Sequence, residues 1–259
     1  MAIPTFNSFS LQDSNFITER IDFKGYATRA VIRANVNRRE GVKLLATEFG
    51  EKEIELSGII VADSATSLQT LIDNMKMNLT EEEGSLVIEQ GRTFQASVLS
   101  INVPDEHYNQ SVARFTVSFL CSDPFSVGAT QIANAVVPSG FFTYSGSIYI
   151  SGTLFGRPTL TYTPAGAATG NTNIRSLTFS HTPTGQSLTI SGFGSGAGLS
   201  YANAVSIDLD TFTTLEGTAL IDTSGAFPRW EPGTNAYTLT ASGRFPGGSI
   251  SVTYQPRYL

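Results

Sequence analysis

Few side chains in this sequence are equipped for chemistry, and their spacing argues against it. Histidine is the usual proton carrier near neutral pH, and the chain has only two, His107 and His181. His107 follows Pro104-Asp105-Glu106 in a polar connection, and His181 precedes Thr182-Pro183-Thr184-Gly185, so both read as turn residues. Asp208 and Asp210 stand two apart on one strand face. Paired carboxylates are the apparatus of glycoside hydrolysis, or the beginning of a calcium site. With no third ligand nearby they read instead as a polar strand end entering a turn at Thr211–Thr214. The run Gly192-Phe-Gly-Ser-Gly-Ala-Gly198 has the glycine content of a phosphate loop. A strand pattern at Val205–Leu209 follows it, where phosphate binding requires a helix N-terminus. A flexible hairpin loop is the expectation. Cys121 is the single cysteine and lies in an alternating apolar strand, so a buried thiol is expected and no disulfide within the chain. No catalytic residue, cofactor or metal ligand is assigned, and the chain is not expected to be an enzyme.

One loop carries binding chemistry. Phe227-Pro-Arg-Trp-Glu-Pro-Gly-Thr-Asn235 holds the only tryptophan between opposite charges, and Pro232-Gly233 suits a type II turn. An exposed indole stacks on sugars or anchors a protein partner. Trp230, Arg229 and Asn235 are therefore the candidate partner or sugar contacts. A lone tryptophan in a β domain also serves as a core plug, and both readings stand at this point.

The elements that must position these residues fall into two compositional halves. Residues 1–127 carry 11 basic and 17 acidic side chains; residues 128–259 carry five of each. A chain of 259 residues is long enough for two cores, and the division is expected between Ser126 and Ala133, giving domains 1–127 and 128–259. The balance of −6 argues against nucleic acid as a ligand, because phosphate affinity needs clustered Lys and Arg. Neither a signal peptide nor a membrane span is read, and synthesis in a cytoplasm is expected.

In the first half, strands are predicted over Arg29–Asn35, Glu53–Val61, Ser85–Glu89, Arg92–Ile101 and Arg114–Leu120. One helix is predicted after Asp63-Ser64, its apolar stripe formed by Leu68, Leu71, Ile72, Met75 and Leu79. Glu81-Glu82-Glu83-Gly84 closes it as a solvated exit. The second half shows alternating apolar pairs from Ile148 to Tyr254 separated by Gly, Pro, Ser, Thr and Asn turns. Seven to nine short strands without helical period predict a sandwich or jelly roll. Phe115–Phe125, an alternating strand running into Ser-Asp-Pro-Phe, ends the first half.

These features, taken in order, resemble the distal tail protein (Dit) family of bacteriophages with long flexible tails. The resemblance is carried by Ile54–Ile60, the Leu68–Leu79 helix, Glu83-Gly-Ser-Leu86, Arg92-Thr-Phe-Gln-Ala96 and Asp123-Pro124-Phe125. Later it continues through Val205–Leu209, Phe227-Pro228, Pro232-Gly233-Thr-Asn235 and Ile250–Tyr254 with Pro256-Arg257-Tyr-Leu259. It implies a mainly β protein: a sandwich- or barrel-like first domain with one α-helix, and a galectin-like jelly-roll second domain. It implies a structural virion protein at the tail tip, a homo-hexameric hub ring joining the tail tube protein to tail-tip or baseplate proteins. Receptor-binding protein is a further implied partner for the outer sandwiches, although no inserted arm or extra lobe is recognised there. DNA would pass through the channel without specific binding, and Glu81, Glu82, Glu83 and Glu89 are the candidate channel-facing acids. The alternative reading is a carbohydrate-binding module of a cell-surface or virion adhesin.

Overall fold

The computed structural model describes residues 3–23, 29–35, 42–80, 83–89, 91–104, 111–166 and 171–258. The chain divides into two compact units, residues 1–128 and 129–258.

The first unit opens with two short strands, β1 (Thr5–Phe6) and β2 (Phe9–Ser10), then β3 (Phe16–Phe23). Next come β4 (Arg29–Asn35) and β5 (Val42–Phe49), which pair with each other as a hairpin. β6 (Lys52–Val61) leads into helix α1 (Ala65–Asn78), followed by β7 (Gly84–Glu89) and β8 (Arg92–Asn102). β9 (Val112–Cys121) and the short β10 (Ser126–Gly128) complete the unit.

The sheet runs in the order β2-β1-β7-β8-β9-β6-β3. β8 makes it turn a corner. Its first residues pair with β7 and its last with β9, and the register shifts between Val98 and Ser100. A bulge of this kind bends a strand and lets it serve two sheets. β6 is central, paired with β9 over its full length so that Ile54, Leu56 and Ile60 lie opposite Phe119, Val117 and Ala113. All six are buried. Period-two alternation thus fills one face from both strands, as the sequence predicts.

Helix α1 begins where the cap residue allows. Ser64 is extended, and its Oγ accepts from the Ser67 N–H at 3.2 Å, satisfying one otherwise orphaned donor. Leu68, Ile72, Met75 and Leu79 form the buried stripe, with Leu71 partly buried at its margin. Cys121, opposite Lys52 at the end of β9, is fully buried; burial pushes its thiol up to about 11, so it stays protonated and unreactive at neutral pH.

The second unit contains β11 (Gln131–Val137), β12 (Thr143–Ile150), β13 (Thr159–Pro164), β14 (Ser176–His181) and β15 (Gln186–Ser191). After them come β16 (Val205–Asp208), β17 (Thr213–Glu216), β18 (Ala219–Leu220) and β19 (Asp222–Gly225). The last are β20 (Gly233–Ala241), β21 (Gly248–Tyr254) and β22 (Arg257–Tyr258). Two antiparallel sheets result, β11-β21-β13-β16-β17-β18 and β12-β20-β14-β15-β19. Their inner faces share one core in which Leu160, Tyr162, Ile207 and Val252 of the first meet Phe179, Leu188, Tyr237 and Leu239 of the second. This is a sandwich, with more strands than the seven to nine expected. β18 and β19 are short and exposed, and carry no alternation from which to read them. The expected Thr211–Thr214 turn gives way to β17 at Thr213.

Candidate functional site

The loop around Trp230 is built by three separate segments of the second unit. Trp230 is completely buried. Its ring lies nearly parallel to Phe179 at 6.0 Å and to His181 at 5.4 Å, and Tyr237 packs against it at 6.2 Å. Its carbonyl accepts from the Gly156 N–H at 2.8 Å, which ties the loop to a second connection. Of the two readings open from the sequence, the position of the ring matches the core plug. Hydrophobic transfer of a large ring, with parallel aromatic neighbours to receive it, draws the indole inward.

His181 is corrected as well: it is the buried last residue of β14, not a turn residue. Asn235 fixes its tautomer. The Asn235 amide nitrogen donates to the carbonyls of Glu231 at 2.8 Å and Gly233 at 3.0 Å, leaving its Oδ1 to accept from His181 Nε2 at 3.0 Å. The Thr184 hydroxyl then donates to His181 Nδ1 at 2.8 Å. Every polar atom of the imidazole is satisfied in the neutral form. Burial holds the ring below the usual histidine range, and the bond to Asn235 offsets that only in part. A histidine whose folded pKa is lowered contributes stability that is present above its unfolded value of about 6.5 and lost as the pH falls below it. Unfolding of the second unit at pH 7.5, 6 and 5 should therefore show a loss toward acid that is shallower in His181→Gln.

Of the three loop candidates only Arg229 reaches solvent. Its guanidinium pairs with Glu231 at 2.9 Å and covers the Phe155 ring at 4.1 Å. Asn235 is 2% exposed and spends its amide on the loop itself. The structure thus brings Trp230, His181, Thr184 and Asn235 together as an internal brace.

The carboxylate pair dissolves on inspection. Asp208 Oδ1 accepts from the backbone N–H groups of Asp210 at 2.8 Å and Thr211 at 3.3 Å, and Asp210 pairs with Arg157 at 2.7 Å. One carboxylate shapes a turn and the other makes an exposed ion pair. Among the described residues no group of three acidic, histidine or cysteine side chains converges on a metal position. Of the acidic candidates in the first unit, Glu81, Glu82 and also His107 lie outside the described residues. Glu83 is exposed, and Glu89 is exposed and paired with Arg92 at 2.8 Å.

One functional-looking residue is missed by sequence reasoning. Glu216 is 7% exposed, and its carboxylate accepts from the N–H groups of Gly194 at 3.0 Å and Ser200 at 3.2 Å. These bonds clasp the glycine-rich run, which is a short 3-10 turn at Phe193–Gly196 with Phe193 fully buried, in place of the expected free hairpin loop. The only signal is an acid at an inward position of β17 in a half with few charges.

The first unit also has a hollow of about 400 Å3 beside the edge strand β3, with Ile3, Pro4, Ile21, Phe23 and Ile88 as its apolar lining and Glu19, Arg20 and Glu89 on its rim. Comparison with known proteins adds the family and the fold. Residues 5–121 match the family described as the phage tail protein RIFT-related domain. The chain has the Dit fold. Its match to the crystal structure of SPP1 Dit, described as a paradigm of the hub adsorption apparatus in phages infecting Gram-positive bacteria, has a TM-score of 0.72. That match covers 99% of each chain at 13% identity, so what is shared is the fold. Chains of the phage p2 baseplate in its activated conformation, with strontium or with calcium, match over 90% of each chain at 8% identity with TM-scores of 0.38 and 0.37. No curated protein matches the sequence.

Proposed function

We propose that the chain is the hub of a flexible phage tail: a hexameric ring whose first units continue the tail tube and whose sandwiches stand at the periphery to dock tail-tip or baseplate proteins. The observation that supports this most is the likeness to SPP1 Dit across both units rather than across one. The division of charge agrees with it. A channel that passes DNA is best lined by surfaces that do not attract phosphate, and the first unit carries the whole net charge of −6. Glu83 and Glu89 are the described acids that this reading turns toward the channel. The hollow beside β3 then receives an apolar side chain of the neighbouring copy, in a head-to-tail contact that closes on itself.

The test is direct. The full-length protein, sized by native mass measurement and imaged in negative stain, should give closed rings of six copies. A protein that stays monomeric at every concentration, with no rings, overturns the proposal. The burial of Trp230 supports this reading over a carbohydrate-binding module, which would stack sugars on an exposed ring.

A further inference from the structure

Two arginines of the second unit have no carboxylate to answer them. The unit holds five basic and five acidic side chains. Arg157 and Arg229 pair with Asp210 and Glu231, and Arg257 is buried. Of the remaining acids, Asp208 shapes its turn, Glu216 clasps the glycine-rich run and Asp222 begins the edge strand β19. Arg175 and Arg244 are exposed, and neither meets a carboxylate among the described residues. They stand at one end of the sandwich. The Ser242 hydroxyl accepts from the backbone N–H groups of Arg175 at 2.8 Å and Ser176 at 3.0 Å, which joins the start of β14 to the β20–β21 connection carrying Arg244.

The same connection holds up two aromatic rings. The Phe245 N–H donates to the Phe141 carbonyl at 2.7 Å, the Ala241 N–H to that of Phe142 at 2.8 Å, and the Gly140 N–H to that of Phe245 at 2.8 Å. The backbone is thus fixed, yet Phe141 is 60% and Phe142 49% exposed. The Arg244 guanidinium lies over the Phe142 ring at 5.6 Å, so ring and cation are presented together. β12 runs from Thr143, opposite Thr240, to Ile150, opposite Gly233, so this is the end remote from the Trp230 loop. Aromatic and arginine side chains are enriched in protein interfaces. A backbone already fixed spares the cost of ordering them on binding.

We infer that this end of the sandwich docks an acidic segment of a different tail protein, its carboxylates meeting Arg175 and Arg244 and an apolar side chain covering Phe142. Charge selects the partner. A guanidinium forms strong, directional bonds with a carboxylate, whereas a neutral or basic segment would strip water from both arginines and return nothing. Two copies meeting through this end would set the same two cations against each other. Neighbours in the ring proposed above are joined through the hollow of the first unit, which leaves this end to another protein; the inference rests on that reading.

The second unit contains no lysine, so Arg244→Lys places a single reactive amine at this end. Purified tails carrying the variant are treated with a carbodiimide, which joins amines directly to carboxylates, and the joined peptides are identified by mass spectrometry. The introduced amine should be linked to an Asp or Glu of a different tail protein. A link to the first unit of a neighbouring copy, seen equally in isolated rings, overturns the choice of partner. Tails in which the amine stays unlinked overturn the inference outright. The double substitution Arg175→Glu and Arg244→Glu removes no ion pair, so ring formation and the melting temperature should not change, while the yield of complete tails should fall at least tenfold. An unchanged yield also overturns the inference. Rings that form but leave this end bare sink it alone, whereas absence of rings sinks the hub assignment and the inference with it.

Discussion

Truncating Trp230 to alanine lowers the stability of the second unit by about 3–5 kcal/mol, the cost of emptying a large aromatic site in a core that cannot collapse around it. Three walls of that site are rigid. Phe179 and Tyr237 are held in paired strands, and His181 is held by its bonds to Asn235 and Thr184. Removing the indole strips the ring contact from His181 and exposes its buried polar bonds to water. The indole Nε1 has no acceptor among the described residues, so what Trp230 contributes is packing rather than a hydrogen bond. Denaturant unfolding followed by circular dichroism, with transitions assigned to each unit, measures the loss. In the parent protein the assignment is simple, because the only tryptophan reports on the second unit alone. A surface indole available for sugar stacking would behave otherwise, its removal staying within about 0.5 kcal/mol. The magnitude therefore distinguishes a core plug from a platform.

Much of the first unit is legible in its residues because local and tertiary demands agree there. Ser64 caps, Leu68 to Leu79 repeat at helical spacing, and β6 alternates from Ile54 to Ile60. β3 is harder to read. The register shift between Thr18 and Arg20 adds a residue opposite β6, so the alternation in Phe16–Phe23 changes phase and no longer announces a strand. β11 is hidden for another reason: its exposed face carries Ile132 and Val136, so inward and outward positions are both apolar. The brace around Trp230 has no local signature at all. His181 and Asn235 are 54 residues apart, and the sheet order that joins β14 to β20 is what makes them partners. Sequence pattern thus locates elements that are consistent within themselves, and misses groups whose meaning is supplied by a distant strand.

Gly58 provides the sharpest test of that distinction. In strand propensity glycine is among the poorest residues, so exchanging it for valine in the middle of β6 would ordinarily gain up to about 1 kcal/mol. The opposite sign is expected here. Gly58 lies opposite Phe115 on one side and Thr18 on the other, where β3 begins its bulge. A β-carbon at this position would stand 2.2 Å from the Ile17 carbonyl oxygen and 2.9 Å from Phe115 Cε1. The ring can turn only against Phe16, which packs edge-on against it at 6.3 Å. The carbonyl belongs to a strand already paired with β6, so it cannot retreat without opening the ladder. Overpacking against backbone costs more than against a mobile side chain, and about 3 kcal/mol is expected for Gly58→Ala, with Gly58→Val at least as damaging because its branch adds volume at the same crowded point. Equilibrium unfolding should show the loss in the first unit only, with the tryptophan transition of the second unchanged. A neutral or stabilising alanine would mean that β3 and β6 are not held as closely as their pairing requires.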